Sequence, residues 1–176
     1  MNTLSIWNFQ CFTSKEVKEI NKEIKKYKWE HSREGDAKDT SKIGNFFLIP
    51  CLPLMELLHP WLYQCQAINK EVFGYNIHWD FHLDYLNYNV YVKNGGYEWH
   101  IDEKPARFDM KLTCLLNLSE EPYEGGEFYT TTSNEKHEFT SGMGLVFNSL
   151  IAHKITPVTQ GERITLTYWA TGPSWR

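Results

Sequence analysis

Residues 86–102 of this 176-residue chain read LNYNVYVKNGGYEWHID, and this stretch decides the fold class. Aromatic, branched and polar residues alternate as far as Val92, which is the period-two pattern of a β-strand. Asn94-Gly95-Gly96 marks a turn, and a second strand then ends at His100 and Asp102. Side chains two positions apart in a strand point to the same face, so His100 and Asp102 face the same way.

Short apolar strands continue this pattern toward the C-terminus. The alternation begins near residue 77, and turn signals such as Gly142-Met143-Gly144 and Gln160-Gly161 divide the rest of the chain. Further strands are predicted near residues 98–102, 111–118, 126–131, 144–148, 151–157 and 162–170.

Before Gly74 the periodicity is helical. Thr13 and Glu16 form a capping box at the start of a helix predicted over residues 14–29. A second helix is predicted from Leu52 to Phe73, with Pro60 as a point where it kinks or restarts. The polar residues 31–44 between the helices are predicted to form a loop.

The order of elements predicts a mainly β fold with flanking helices. Helices followed by a series of short strands are typical of an antiparallel β-sandwich or jelly roll with N-terminal helices packed outside. A chain of 176 residues has the length of one domain. We therefore predict a single domain over residues 1–176, in which residues 1–75 form a helical support region and residues 76–176 form the β core with the site.

Composition argues against several classes of function. The net charge of -4 disfavours a surface that wraps nucleic acid. The chain has neither an N-terminal secretion signal nor a run of about 18 apolar residues that would cross a membrane. The four cysteines lack a C-x-x-C pair, which disfavours a disulfide framework or a zinc knuckle. A cytoplasmic protein without nucleic-acid or membrane partners is predicted.

His100 and Asp102 gain significance from His153, which lies in a later predicted strand. Two histidines and one carboxylate that leave other coordination positions open are the arrangement of non-haem iron(II) oxygenases. An H-x-D pair alone is a weak signal, because it is common by chance and a strand-end His beside a solvent-facing Asp explains it better. We predict His100, Asp102 and His153 as metal ligands and catalytic residues.

Arg163 strengthens this interpretation. It follows His153 by ten positions across a turn, which is the separation expected if neighbouring antiparallel strands bring both side chains into one interior. A buried guanidinium needs an anion because it cannot lose its proton. A carboxylate would be a bidentate partner. The same strand face continues through Thr165, Thr167 and Trp169.

Motif residues run in a fixed order from about Leu86 to Trp169, roughly half of the chain. They are Tyr91, Gly95, Tyr97, His100 and Asp102, the strand Leu112–Leu118, Gly125-Gly126-Glu127-Phe128, Gly144-Leu145-Val146-Phe147, His153, Pro157-Val158, Gly161, Arg163 and Trp169. In this order they resemble the 2-oxoglutarate/iron(II) oxygenases of the prolyl 4-hydroxylase type. The ending Pro-Val-x-x-Gly-x-Arg is most similar to the bacterial PKHD-type hydroxylases.

The resemblance implies a double-stranded β-helix that holds Fe(II) on His100, Asp102 and His153. It implies that Arg163 anchors the co-substrate 2-oxoglutarate, with Tyr91 and Thr167 lining its pocket. It also implies O2 as a reactant, ascorbate as an auxiliary reductant, and release of succinate and CO2. The implied reaction is hydroxylation of a C–H bond of a prolyl residue in a protein or peptide.

Two positions depart from the family pattern. Arg163 stands where many prolyl 4-hydroxylases have Lys, and Phe128 follows the G-G-E where Thr is frequent. Asn117, which shares a strand face with Thr113 and Leu115, is our candidate for the hydrogen bond to the co-substrate that Phe128 cannot make. The candidate substrate contacts are Tyr97, Trp169 and Arg107.

Other functions remain open from the sequence. The same site would serve a hydroxylase of a free amino acid or small metabolite. A non-catalytic cupin-like ligand-binding protein would usually have a broken metal triad, and a cupin-type isomerase would not need Arg163. His78, Asp80, His82 and Asp84 alternate along one strand, but a solvent-facing strand side explains them better than a second metal site does. The charged residues 103–110 form either a solvated loop or a lid.

Overall fold

The computed structural model describes residues 6–27, 41–79, 81, 85–102, 109–133 and 136–174. Two helices, α1 (Ser14–Ile24) and α2 (Met55–Ile68), precede most of the strands. Twelve strands are present in these residues: β1 (Ile6–Gln10), β2 (Lys42–Ile43), β3 (Asn45–Pro50), β4 (Tyr85–Tyr91), β5 (Gly96–His100), β6 (Met110–Asn117), β7 (Glu124–Gly125), β8 (Phe128–Thr130), β9 (Met143–Asn148), β10 (His153–Ile155), β11 (Val158–Gln160) and β12 (Arg163–Thr171).

Both predicted helices are present, although α1 ends at Ile24 and residues 25–27 form a turn. The capping box of α1 is formed, with the Thr13 amide donating to Glu16 Oε2 at 2.8 Å. A 3-10 turn (Leu52–Leu54) leads into α2, which continues through Pro60. A π-turn (Asn69–Phe73) follows, and Gly74 ends it with a left-handed φ of 67° that favours glycine. None of the described helices is both long and apolar enough to cross a membrane.

The strands form two principal antiparallel sheets. The larger sheet has the order β1-β9-β6-β12-β4-β3, and the smaller sheet has the order β2-β5-β10-β8. β7 and β11 pair separately. The larger sheet uses one face for the helices and the other for the smaller sheet, which is the layering of the predicted jelly roll with helices outside.

Alternation along the strands separates the two layers of the core. On β12, Ile164, Leu166 and Tyr168 pack in the cluster that contains the helices. The alternate residues of the strand point the other way and line a cavity between the sheets; they are Arg163, Thr165, Thr167 and Trp169. The mainly β fold with flanking helices is therefore confirmed. The alternate residues of β12 that face the smaller sheet form one wall of the cavity.

The prediction that residues 1–75 are a helical support region is incomplete. These residues also supply β1, which pairs with β9, β2, which pairs with β5, and β3, which pairs with β4. Conversely, the strand alternation predicted from residue 77 does not yield a strand before β4 in the described residues, where His78 makes an isolated bridge to Thr171. The single-domain interpretation stays a prediction.

Asn21 attaches α1 to the larger sheet. Its fully buried amide donates to Leu118 O at 2.8 Å and accepts from the Tyr88 hydroxyl at 3.0 Å. We expect Asn21→Ala to lower the free energy of unfolding by about 2–4 kcal/mol, because two buried polar groups lose their partner. Denaturant unfolding beside the exposed Lys22→Ala control measures this. Equal stability of the two variants would contradict the role of Asn21.

Candidate metal centre and co-substrate pocket

His100, Asp102 and His153 converge at one end of the cavity between the sheets. Each offers a ligand atom, and these atoms lie within 4.8 Å of one another. Asp102 lies between the imidazoles, with Oδ1 3.7 Å from His100 Nε2 and Oδ2 3.6 Å from His153 Nε2. Among the described residues they are the one group of His, Cys, Asp or Glu side chains that could hold a metal ion.

Strand pairing brings the two histidines together. His100 ends β5 and His153 begins β10, and the two residues are directly opposite in the antiparallel register. Their ring centroids are 4.1 Å apart. Asp102 lies two residues beyond β5, where its amide donates to Ser149 O at 3.2 Å. The pairing of β5 with β10 thus brings His153 to His100 and Asp102, from which it is distant in sequence.

Both imidazoles present Nε2 to the centre. His100 Nδ1 lies 2.7 Å from Glu98 O, and His153 Nδ1 lies 3.0 Å from Ile151 O. A neutral ring that donates from Nδ1 keeps a lone pair on Nε2, which is the form that binds metals. Burial, with the neighbouring His153 as a second cause, lowers the pKa of His100 to about 4. His100 is therefore neutral at physiological pH.

Arg163 lies in the same cavity as the metal ligands. Its side chain is 1% exposed, and Nε, Nη1 and Nη2 have no hydrogen-bond partner among the described residues. The guanidinium carbon lies 5.5 Å from the Tyr91 ring centroid and 5.6 Å from that of Phe139. A buried, unpaired guanidinium is costly, so this geometry fits an anion that arrives from outside.

Polar side chains line the same cavity as the metal ligands and Arg163. Asn89 Nδ2 donates to the Thr167 hydroxyl at 3.1 Å, and Asn87 Nδ2 donates to Asn89 Oδ1 at 3.0 Å. Lys42 Nζ donates to Asn89 Oδ1 at 3.1 Å from the edge strand β2. The candidate metal centre, the amide and hydroxyl groups and the buried cation are groups that could bind a small dicarboxylate.

A sequence profile of the 2OG-Fe(II) oxygenase superfamily matches residues 83–171, just over half of the chain. The chain belongs to this superfamily. The matched region contains all three candidate metal ligands and Arg163, so the family assignment and the geometry concern the same part of the molecule.

The curated relatives of this oxygenase include PKHD-type hydroxylases. One from Alteromonas mediterranea is 33% identical over 93 residues, which cover 47% of this chain and 41% of that protein. One from Prochlorococcus marinus is 26% identical over 172 residues, which cover 91% of this chain and 75% of that protein. Several of these relatives are matched over less than half of their own length.

Solved structures share the fold of this oxygenase. A prolyl-4-hydroxylase from Pseudomonas putida superposes with a TM-score of 0.69 at 19% identity, covering 94% of this chain and 91% of that one. A prolyl hydroxylase from Trichoplax adhaerens, in complex with a peptide fragment of hypoxia inducible factor, gives 0.72 at 18% identity, covering 97% and 84%. These likenesses confirm the predicted double-stranded β-helix.

The family implies Fe(II), 2-oxoglutarate and O2, and the residues of the cavity fit them. Two imidazoles and a carboxylate suit Fe(II) and leave coordination positions for further ligands. The orphaned guanidinium of Arg163 suits a carboxylate of 2-oxoglutarate. The use of ascorbate stays a prediction.

Most of the other predicted site residues lie at the cavity, and one lies outside the described residues. Tyr91, Thr167, Tyr97 and Trp169 all line the cavity. The Tyr97 ring stacks on His100 with centroids 3.4 Å apart, and Trp169 Nε1 is buried without a partner among the described residues. Arg107, with residues 103–108 of the predicted lid, lies outside the described residues, as do residues 31–40 of the predicted polar loop.

Asn117 is not brought to the cavity, so its predicted contact with the co-substrate is not supported. Its amide donates to Phe139 O at 2.7 Å and to the Tyr123 hydroxyl at 3.2 Å. Its Oδ1 accepts from the Ser119 amide at 2.9 Å. Strand parity placed Asn117 on the inward face. Because Asn117 is the last residue of β6, its side chain instead forms hydrogen bonds with the residues that follow the strand.

Several lining residues were not predicted from the sequence. Asn87 and Asn89 could have been found, because they lie four and two positions before Tyr91 on the same strand face. Thr113 does not line the cavity, but it shares a strand face with Leu115, which does, and its hydroxyl contacts Asp102. Lys42 carried no signal, since β2 is a two-residue edge strand in a polar segment.

A larger cavity of about 820 Å³ shares Phe128 with the site. It is lined by residues 119–128 and 136–141 with Ser14, including several glutamates. Size alone does not identify a functional site. The smaller cavity contains the metal-binding group and the orphaned Arg163, so we assign the chemistry to it.

Gly126 keeps space for the Arg163 side chain. Its φ is +61°, and a Cβ added there would lie 2.7 Å from Arg163 Cδ. We expect Gly126→Ala to displace the guanidinium and weaken 2-oxoglutarate binding about tenfold or more. Calorimetry on the variant measures this, with Gly74→Ala, at a similar φ of +67° in a helix end, as the control for backbone strain. Equal affinity in both variants would contradict this role.

Proposed function

We propose that this oxygenase uses Fe(II), 2-oxoglutarate and O2 to hydroxylate a C–H bond of a prolyl residue in a protein or peptide. The observation that carries the proposal is the presence of the metal-binding group and the unpaired, buried Arg163 in one cavity. A cupin-type isomerase has no use for that cation. A non-catalytic ligand-binding protein of this kind would usually have a broken set of metal ligands, whereas all three are present in this chain.

His100, Asp102 and His153 would hold the iron, and Arg163 would hold the carboxylate of 2-oxoglutarate that lies away from it. When bound, these groups supply an oxidative decarboxylation in which 2-oxoglutarate and O2 give succinate and CO2 and one oxygen atom enters the substrate C–H bond. The protein positions the reactants and excludes water. Tyr91, whose pKa is raised by burial, keeps its hydroxyl protonated beside Arg163.

The relatives support a prolyl substrate. PKHD-type hydroxylases are among the curated relatives, and the similar structures include a prolyl-4-hydroxylase and a prolyl hydroxylase in complex with a peptide. Tyr97 and Trp169 line the cavity and offer aromatic faces on which a pyrrolidine ring could pack. Trp99 is 48% exposed and does not line the cavity, so we do not assign it this role.

Matched peptides test the substrate. Purified protein is loaded with Fe(II) under anaerobic conditions and given 2-oxoglutarate, O2 and pairs of peptides that differ by one Pro-to-Ala replacement. We expect succinate formation to rise with the proline peptide of a pair, and that peptide to gain one oxygen atom by mass spectrometry. Stimulation by free amino acids alone would replace the peptide substrate with a small metabolite. Binding of 2-oxoglutarate without any turnover would favour a ligand-binding protein.

A further inference from the structure

Asp102 lies outside the strands, so hydrogen bonds from other elements must fix its position. It lies two residues beyond the end of β5, and its side chain is 9% exposed. The Thr113 hydroxyl on β6 donates to Asp102 Oδ2 at 2.6 Å. This is at the short end of the range for hydrogen bonds from a hydroxyl to an oxygen atom.

A second hydroxyl lies behind the first. Thr113 Oγ1 and Ser149 Oγ are 3.1 Å apart, and both residues are fully buried. The hydroxyl of Thr113 carries a single hydrogen, and that hydrogen is donated to Asp102 Oδ2. Ser149 must therefore donate to Thr113. The result is a directed chain of hydrogen bonds from Ser149 through Thr113 to Asp102, in which each bond polarises the next.

The backbone of Ser149 restrains the same residue. Its carbonyl accepts from the Asp102 amide at 3.2 Å, and its amide donates to Lys111 O on β6 at 3.2 Å. Ser149 also lies four positions before His153, in the turn that follows β9. Asp102 is thus held by its amide and by its carboxylate, and the turn that holds it leads into another candidate metal ligand.

We propose that Thr113 is a positioning residue, which with Ser149 fixes the carboxylate of Asp102 for metal binding. This inference rests on the proposed function, since it concerns the same metal centre. The hydroxyl occupies one side of Oδ2, while Oδ1 faces His100 Nε2. A carboxylate held in one rotamer loses no conformational freedom when the metal binds.

Manganese(II) titration of the purified protein tests the proposal without turnover. Thr113→Val keeps the shape of the side chain and removes the hydroxyl, whereas Thr113→Ser keeps the hydroxyl. Loss of such a partner of a metal ligand weakens metal binding by about 10- to 100-fold, and we expect this for Thr113→Val. We expect Thr113→Ser to bind manganese(II) close to the wild type. The unfolding midpoint of each metal-free variant is measured beside it.

The outcomes separate positioning from a structural role. Wild-type manganese(II) affinity in Thr113→Val, even with a lower unfolding midpoint, would overturn the inference, as would a Thr113→Ser variant as weak as Thr113→Val. If Thr113→Val does not fold, Ser149→Ala, which removes the outer donor, takes its place and must weaken manganese(II) binding for the inference to stand. Failure of the wild-type protein to bind manganese(II) would instead refute the proposed function itself.

Discussion

Arg163→Met is expected to weaken 2-oxoglutarate binding between about 30-fold and 1,000-fold while metal binding stays nearly intact. Removing one partner of a buried, hydrogen-bonded charge pair costs a free energy of binding that corresponds to a loss of affinity in this range. The side chain is buried and its three nitrogen atoms have no partner among the described residues, so the bound carboxylate would be its anion. Calorimetric titration of 2-oxoglutarate into the manganese(II)-loaded protein measures the affinity.

The same substitution should act in the opposite direction on the stability of the ligand-free protein. An unpaired buried charge destabilises the fold, and methionine fills a similar length without charge. We expect the unfolding midpoint of ligand-free Arg163→Met to equal or exceed that of the wild type. Arg163→Lys is the matched control: it keeps the charge, loses the two-pronged geometry and should give an intermediate affinity. Unchanged 2-oxoglutarate affinity in Arg163→Met would remove the basis for the co-substrate assignment.

Asp102→Asn is expected to weaken manganese(II) binding by more than about 100-fold and to reduce succinate formation to background. Loss of a direct ligand should exceed the 10- to 100-fold effect of losing a partner behind it. The amide preserves the size of the side chain and an acceptor for Thr113, so the change isolates the negative charge that lies between the two imidazoles.

Glu98→Gln provides the control for this charge change. Glu98 lies on β5, four residues before Asp102, and its side chain is exposed, while its backbone oxygen contacts His100. Manganese(II) affinity and turnover should match the wild type in Glu98→Gln. A loss of affinity in this control equal to that in Asp102→Asn would mean that general electrostatics, rather than ligation, explains the result.

Periodicity predicted much of the site because strands alternate strictly. Arg163, Thr165, Thr167 and Trp169 were assigned to one face from their spacing, and all four line the cavity. The convergence of His100, Asp102 and His153 followed from their residue types and from the resemblance to the oxygenase family, and the three side chains do meet. Their roles as ligands remain part of the proposal.

What the sequence did not predict has physical reasons. β3 is a nearly continuous apolar run that ends at Pro50, without the alternation that indicates a strand. β2 is too short for any pattern, so Lys42 could not be placed in the cavity. Asn117 illustrates a different limit. Parity predicts which face of a strand a side chain lies on, but not whether it reaches the cavity. The Asn117 side chain at the end of β6 forms hydrogen bonds with Phe139 and Ser119 instead.

Succinate formation from 2-oxoglutarate tests the central claim most directly, because it requires the metal centre, the co-substrate anchor and access for O2 at once. The measurement compares wild-type protein, loaded with Fe(II) under anaerobic conditions and then exposed to O2, with the His100→Ala variant prepared identically. We predict succinate that depends on both Fe(II) and O2 in the wild type and is absent from His100→Ala. Equal succinate formation by both proteins, or a wild type that binds neither metal nor 2-oxoglutarate, would contradict the assignment of this cavity.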